Sequence, residues 1–265
     1  MAASQTSKGH EVPPVTLVDD LAYAVSFPTP PRRVVSLVPS ITEALATTCP
    51  ERLVGATDWC THPEGLAVQR VRGTKNPDLK AIAALEPDLV VANKEENREL
   101  DVRRLRADGI PVWVTDIVTV PDALTSLDRL FSEVLDVRTP DWLAAARDEW
   151  DGPVPEPTHD VAVAIWRDPW MAVGRDTFTG DVAARLGWRN VLGDSRDRYP
   201  HVEVADLDRE GVTVLLPDEP YVFSADDGPE AFAHAATALV SGRLLTWYGP
   251  SLVGARAALT AAVAD

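Results

Sequence analysis

A short apolar run, a loop and then a helix-like segment recur along these 265 residues, and that alternation admits few folds. The first unit is VVSLVPSITEALATT. Val34 to Val38 form an apolar run of strand length that ends at Pro39. Ser40 and Glu43 match the S-x-x-E capping box, in which side chains take up the free N–H groups of a helix start. A helix beginning there points its N-terminus at the strand's carboxyl edge, where open α/β sheets bind ligands.

The unit then repeats. Leu53 to Thr57 read as a strand leading into the loop DWCTHPEG. Asn76 and Pro77 suit the N-cap and first turn of a helix whose apolar face is Leu79, Ile82, Ala83 and Leu85. Glu86-Pro87 closes it before the strand DLVVA. A polar amphipathic helix over Lys94 to Ala107 stops at Gly109, a strand covers Pro111 to Thr115, and a helix covers Ala123 to Leu135. Thr139-Pro140 opens a short helix ending near Trp150, followed by the Pro-rich connector DGPVPEPTHD.

Beyond the connector the alternation resumes. Strands are expected at Val161 to Trp166, Val212 to Leu216 and Arg243 to Thr246. Helices are expected from Thr177 to Gly187 and over Val204 to Glu210, Pro229 to Val240 and Ser251 to Val263. Strands alternating with helices imply mostly parallel sheets. The expected organisation is an N-terminal lobe over residues 1–135, a connecting helix and linker over 136–160, and a second lobe over 161–265.

Composition narrows the partners. The 41 acidic against 25 basic residues give a net charge of −16, which repels phosphate backbones and anionic lipid heads. Nucleic acid is therefore not an expected partner. The start MAASQTSKGHEVPPVTLVDD has no apolar h-region behind a basic segment, and no stretch approaches the ~20 apolar residues of a membrane span. A cytoplasmic chain without membrane insertion is the expectation. Two cysteines, Cys49 and Cys60, make no disulfide framework.

Several phrases occur together in a telling order: RVVSLVPSITEAL at Arg33–Leu45, LVGATDW at Leu53–Trp59, LKAIAALEPDLVVA at Leu79–Ala92, LRADGIPVWV at Leu105–Val114 and FTGDVAARLGWRNV at Phe178–Val191. From about Thr16 onward the chain resembles the helical-backbone, class III substrate-binding proteins of ABC importers, in their cobalamin-binding branch. The motifs WC-x-HP, NKEEN, IW-R-x-PW, EPY and WYG further resemble a leaderless, cytoplasmic subgroup. The resemblance implies two Rossmann-like α/β lobes joined by a helix, a ligand cleft between them and little hinge motion. It also implies a corrinoid or related metal chelate as ligand, and an ABC permease as partner. The connecting helix read here is short for that family, about 11 residues or 17 Å.

Aromatic and polar residues gather on the predicted strand-end loops. Trp59, Trp166, Trp170, Tyr221, Trp247 and Tyr248 could wall a flat, amide-fringed macrocycle. Glu95, Glu96, Arg167 and Tyr199 could fix its polar groups, although solvated caps are the plainer reading of such charges. In Cys60-x-His62, residues two apart on an extended segment point the same way. They could ligate a soft metal, or act as nucleophile and base with Glu96 as third partner; a buried thiol beside an ordinary loop histidine is the alternative. His10, His159, His201 and His234 lack ligand spacing, so a metal-ion receptor ranks third. No P-loop, G-x-G-x-x-G, G-x-S-x-G or H-E-x-x-H occurs. The functions left open are a corrinoid-type binding protein, with no certain resident cofactor, and a cytoplasmic enzyme using the same cleft.

Overall fold

The computed structural model describes residues 14–264, so residues 1–13 of the N-terminal stretch read for targeting signals lie outside the described residues. An antiparallel hairpin of β1 (Val15–Val18) and β2 (Ala24–Phe27) leads into the first sheet. That sheet holds β3 (Val34–Ser36), followed by α1 (Pro39–Thr48), then β4 (Leu53–Ala56) and β5 (Gln69–Arg70). A two-residue hairpin of β6 (Arg72–Gly73) and β7 (Asn76–Pro77) precedes α2 (Leu79–Ala84), and β8 (Leu89–Asn93), α3 (Glu99–Ala107) and β9 (Val112–Thr115) complete the unit. The strand order is β5-β4-β3-β8-β9, all parallel. The order reverses at β3, and the loops after β3 and β8 flank the crevice that such a reversal opens.

The chain then crosses in α4 (Val120–Arg129), which widens into a π turn at Leu130–Val134, and α5 (Asp141–Trp150). At about 1.5 Å per residue α5 spans roughly 15 Å. The second sheet is built from β10 (His159–Trp166), β11 (Met171–Ala172), α6 (Phe178–Arg185), β12 (Trp188–Asn190), α7 (Val204–Leu207), β13 (Val212–Pro217), β14 (Ala236–Val240), α8 (Gly242–Thr246) and α9 (Ala255–Ala264). Parallel β12, β10, β13 and β14 stand in the same relation as β4, β3, β8 and β9, with β11 antiparallel on the far half of β10. Both lobes thus share one topology.

The period of two along each strand decides which core a residue joins. Val34, Val91, Trp113, Val161, Val163, Leu215 and Ala238 face a single apolar core running between the two sheets and enclosing Phe131, Leu143 and Trp150. Their alternates pack outward, Val35, Val90 and Val112 under the first lobe's own helices, and Ala162, Val214 and Leu216 under the second lobe's elements. The lobes therefore share apolar packing instead of hanging on a linker. Polar ties reinforce it: Val120 N–H donates to Asp181 Oδ2 (2.8 Å), Trp142 Nε1 to Thr48 Oγ1 (3.0 Å) and Trp150 Nε1 to the Leu252 carbonyl (2.9 Å).

Five local expectations are corrected. Helix α1 starts at Pro39, a good first helical residue, so Ser40 and Glu43 fall inside the helix and form no capping box. Asn76-Pro77 pairs with Arg72-Gly73 as a strand, and Asp78 is the real N-cap, accepting from Ala81 N–H. Lys94 to Arg98 form a turn ahead of α3. Pro229 to Val240 contain only a 3-10 turn, after which Ala236–Val240 extend as β14, because a fully parallel neighbour was available at β13. Arg243 to Thr246 lie in α8, capped by Ser241, instead of in a strand.

Candidate functional site

The NKEEN loop after β8 explains itself through its two asparagines. Asn93 Oδ1 accepts from the N–H of Glu95 (2.8 Å) and Glu96 (3.3 Å), and Asn97 Oδ1 accepts from Asn93 N–H (2.8 Å). Asn97 Nδ2 donates to the carbonyls of Leu37 (3.3 Å) and Thr74 (3.0 Å), tying the loops after β3 and β6 together. Both asparagines are buried, and the two glutamates they hold are half-buried.

Across from Glu95 stands the loop Asp197–Pro200 of the second lobe. Arg198 Nη1 lies 2.9 Å from Glu95 Oε1, and Tyr199 Oη lies 3.4 Å from both Glu95 oxygens. Lys75 Nζ donates to the Glu95 carbonyl. The Arg198 loop is seated against Gly174, whose N–H donates to Arg198 O (2.7 Å); a Cβ at Gly174 would fall 2.2 Å from Asp197 O. A second bridge joins Glu43 of α1 to Arg243 of α8 through two N–H···O contacts. A third sets the His62 ring edge-on to Trp247, centroids 5.3 Å apart. The loops at the carboxyl ends of both sheets therefore meet face to face.

Burial governs the charges here. It raises Glu95, against the pull of Arg198, Tyr199 and Lys75, and raises Glu96, against Lys75. Glu219, at the end of β13, is pushed up to about 7, first by burial and then by neighbouring Asp218, against the Trp247 indole N–H and Arg243. Gly242 makes Glu219's place possible, since a Cβ there would meet Glu219 Cγ at 2.4 Å. Tyr199 and Tyr248 are raised, chiefly by burial and by the nearby glutamates.

The expected residues divide into three groups. Glu95, Glu96, Tyr199, Trp247 and Tyr248 come together at the lobe junction, with Tyr248 (7% exposed) edge-on to Phe178 within the shared core. Trp59 (66% exposed) sits on its strand-end loop against the β6–β7 hairpin, its Nε1 3.3 Å from where a Cβ on Gly73 would lie. Arg167, Trp170 and Tyr221 form a separate group in the second lobe. Arg167 pairs with Asp227 and Glu230, Tyr221 Oη donates to Asp227 Oδ2 (2.7 Å), and exposed Trp166 lies edge-on to Tyr221 at 5.5 Å. Trp170, read as a wall of the cleft, is corrected: it stacks on Phe223 (5.7 Å) and against Phe232 inside the second lobe's outer core.

The convergence expected of Cys60 and His62 is also corrected. The segment is a turn, with Cys60 N–H bonded to Thr57 O and Thr61 N–H to Trp59 O, so the two-residue spacing no longer aligns side chains. Cys60 is fully buried; its Sγ contacts Thr42 Oγ1 (3.0 Å) and Thr57 Oγ1 (3.1 Å), whereas His62 Nδ1 is 3.1 Å from Thr61 Oγ1. Burial raises the Cys60 thiol, the opposite of an activated nucleophile. Among the described residues no group of three or more His, Cys, Asp or Glu side chains could hold a metal ion.

Residues assigned no site role from sequence are Glu43 and Arg243, partners 200 positions apart, and Arg70, whose guanidinium donates to the carbonyls of Thr57 (2.8 Å) and Cys60 (2.9 Å) and props the loop. For Glu43 one signal existed: Pro39 fixes the start of α1 and frees Glu43 from a capping role.

Two lobes of one parallel topology, joined by helices and meeting through strand-end loops, define the fold of the two-lobe helical-backbone binding proteins. The periplasmic vitamin B12 binding protein of Vibrio cholerae superposes with a TM-score of 0.67 at 17% identity, over 89% of this chain and 99% of that one. The periplasmic haem binding protein of the same organism gives 0.70 at 17% identity, over 88% and 99%. Helicobacter pylori CeuE in its nickel–histidine complex gives 0.74 at 14% identity, over 92% and 86%. In sequence, the vitamin B12-binding protein of Pectobacterium atrosepticum is 26% identical over 196 residues, 68% of this chain and 67% of that protein. That of Salmonella typhi is 28% identical over 180 residues, 64% and 66%. No family model matches the chain. No described helix is long and apolar enough to cross a membrane.

Proposed function

We propose that this chain is a substrate-binding protein for a corrinoid or closely related metal-chelate macrocycle, gripped in the cleft between its lobes. The observation that carries this reading is the face-to-face meeting of the strand-end loops, with Glu95, Arg198 and Tyr199 closing one side and the His62–Trp247 contact another. Exposed Trp59 in the first lobe and exposed Trp166 in the second, each at a strand end, supply aromatic surface for a flat ligand. Relatives named for vitamin B12 and neighbours named for haem support the chemical class. The shared core favours small rearrangements over wide hinge opening. Delivery to an ABC permease is part of the proposal by likeness to such relatives. The cytoplasmic compartment expected from the sequence draws no support from neighbours described as periplasmic, and cell fractionation tests it separately.

The test is titration with cobalamin, cobinamide and haemin, followed by tryptophan fluorescence and by melting temperature. Saturable quenching with a raised melting temperature by any of them is expected. No response from all three up to about 100 μM, a limit near −5.5 kcal/mol, refutes the reading. An enzyme working through Cys60, His62 and Glu96 lacks the required geometry, because the thiol is sealed between two threonines.

A further inference from the structure

The first sheet ends at β9, and the outward N–H and C=O groups of an edge strand are a template for another strand unless something fills them. Two consecutive aspartates fill them here. Asp19 Oδ2 accepts from Val114 N–H (3.2 Å), Asp20 N–H donates to Val114 O (3.2 Å) and Asp20 Oδ2 accepts from Asp116 N–H (3.2 Å). Arg106 Nη2 donates to Val112 O (2.9 Å). Side chains and a turn thus stand where a further strand would pair.

Both aspartates lie in the turn of the β1–β2 hairpin, whose strands pair only with each other among the described residues. The Asp19 side chain is fully buried; Oδ1 accepts from the N–H of Leu21 (3.0 Å) and Tyr23 (2.9 Å), and Oδ2 from Arg106 of α3 (2.7 Å). Asp20 pairs with Arg129 of α4 (2.8 Å) and accepts from Ser126 Oγ, while Arg129 also donates to Val18 O. The apolar hold is thin by comparison. Val25 and Phe27 are buried with Leu17 beside them, whereas Val15, Val18, Leu21 and Tyr23 are exposed. A unit with few buried apolar contacts and a polar fastening belongs to the part of a fold that opens first.

We propose that the hairpin is a strap that seals the β9 edge against a second copy of this chain. It is fastened by the Asp19–Arg106 and Asp20–Arg129 pairs, and it opens as one unit while the sheet behind it stays folded. The occupant follows from what opening bares. The strand VWVT carries no charge, so two copies pairing antiparallel about a twofold set no like charges opposite each other. Arg106 and Arg129 then flank the edge without their acids, and a chain of net charge −16 supplies carboxylates to meet them.

Native-state amide exchange of the full chain in dilute urea reads the opening. The N–H groups of Leu21, Tyr23, Val114 and Asp116 should share one opening free energy, below that of Val90 N–H, which donates to Pro111 O on the inner side of β9. Asp19→Ala combined with Asp20→Ala should speed exchange at Val114 and Asp116 roughly tenfold or more and leave Val90 unchanged. Its mass by light scattering should climb with concentration beyond that of the parent. Where the double variant does not fold, the parent's exchange pattern and the milder Asp20→Asn decide the matter. Val114 and Asp116 exchanging together with Val90 overturns the strap, as does a folded double variant that keeps both amides protected. Bared amides on a variant that stays monomeric at its highest soluble concentration overturn the sealing role.

Discussion

Replacing Trp150 tests whether the two lobes are one cooperative body. Its indole is 1% exposed at the end of α5, inside the core that both sheets share. Its Nε1 donates to Leu252 O at 2.9 Å, and the Arg256 guanidinium lies 4.8 Å from the ring centroid. Trp150→Phe keeps most of the ring but loses a hydrogen bond worth about 0.5–1.5 kcal/mol and weakens a cation–π contact worth about 0.5–1 kcal/mol. A loss of roughly 1–2 kcal/mol is expected from these two effects. Trp150→Ala removes the ring and leaves a cavity, so about 3–5 kcal/mol should be lost. Urea unfolding followed by far-UV circular dichroism and by tryptophan fluorescence reads both. The two probes should coincide in one transition for the parent chain, and the alanine variant should shift its midpoint without splitting it. Two separated transitions in the parent chain, or an alanine effect below about 1 kcal/mol, would refute the shared-core argument.

Other outcomes follow from the same geometry. Cys60 should resist alkylation in the folded protein near neutral pH and react at an ordinary rate only on unfolding, counted by mass spectrometry; fast labelling of the native chain contradicts its burial and raised thiol. Glu219 is held at about 7 in the folded state against 4.5 as its ordinary value, so the folded state binds more protons between those values. Stability should therefore fall as pH rises from 4.5 to 7, and Glu219→Gln should flatten that slope by about 1 kcal/mol after allowance for solvent screening; an unchanged or opposite slope denies the assignment. Arg243→Met strands Glu43 (6% exposed) without its cation and should cost about 2–4 kcal/mol, whereas Glu43→Gln paired with it should recover much of that in a double-mutant cycle. Gly242→Ala should push Glu219 out of place and weaken cobinamide more than it lowers the melting temperature, checked by titration and calorimetry.

The class of fold was legible in the sequence because its signal is local. Apolar runs such as VVSLV and DLVVA broken by Pro and Gly, and Thr177 capping α6, specify strand and helix through neighbours a few residues away. The same locality explains the misreadings. Ala236–Val240 carries no pattern that excludes a helix, and the free edge of β13 made it a strand. Cys60 and His62 look paired on a line of text, but the turn that Arg70 props from ten residues away separates their partners. Glu95 and Glu96 were visible as candidates because NKEEN concentrates polar groups after a strand. What the glutamates face was not visible. Arg198 and Tyr199 stand 103 and 104 positions from Glu95, and Arg243 stands 200 from Glu43, distances over which a sequence holds no record of contact. Local hydrogen bonding and side-chain periodicity thus set the elements. Only the packing of two like sheets around one core decided which loops meet, and which acids and cations stand together between them.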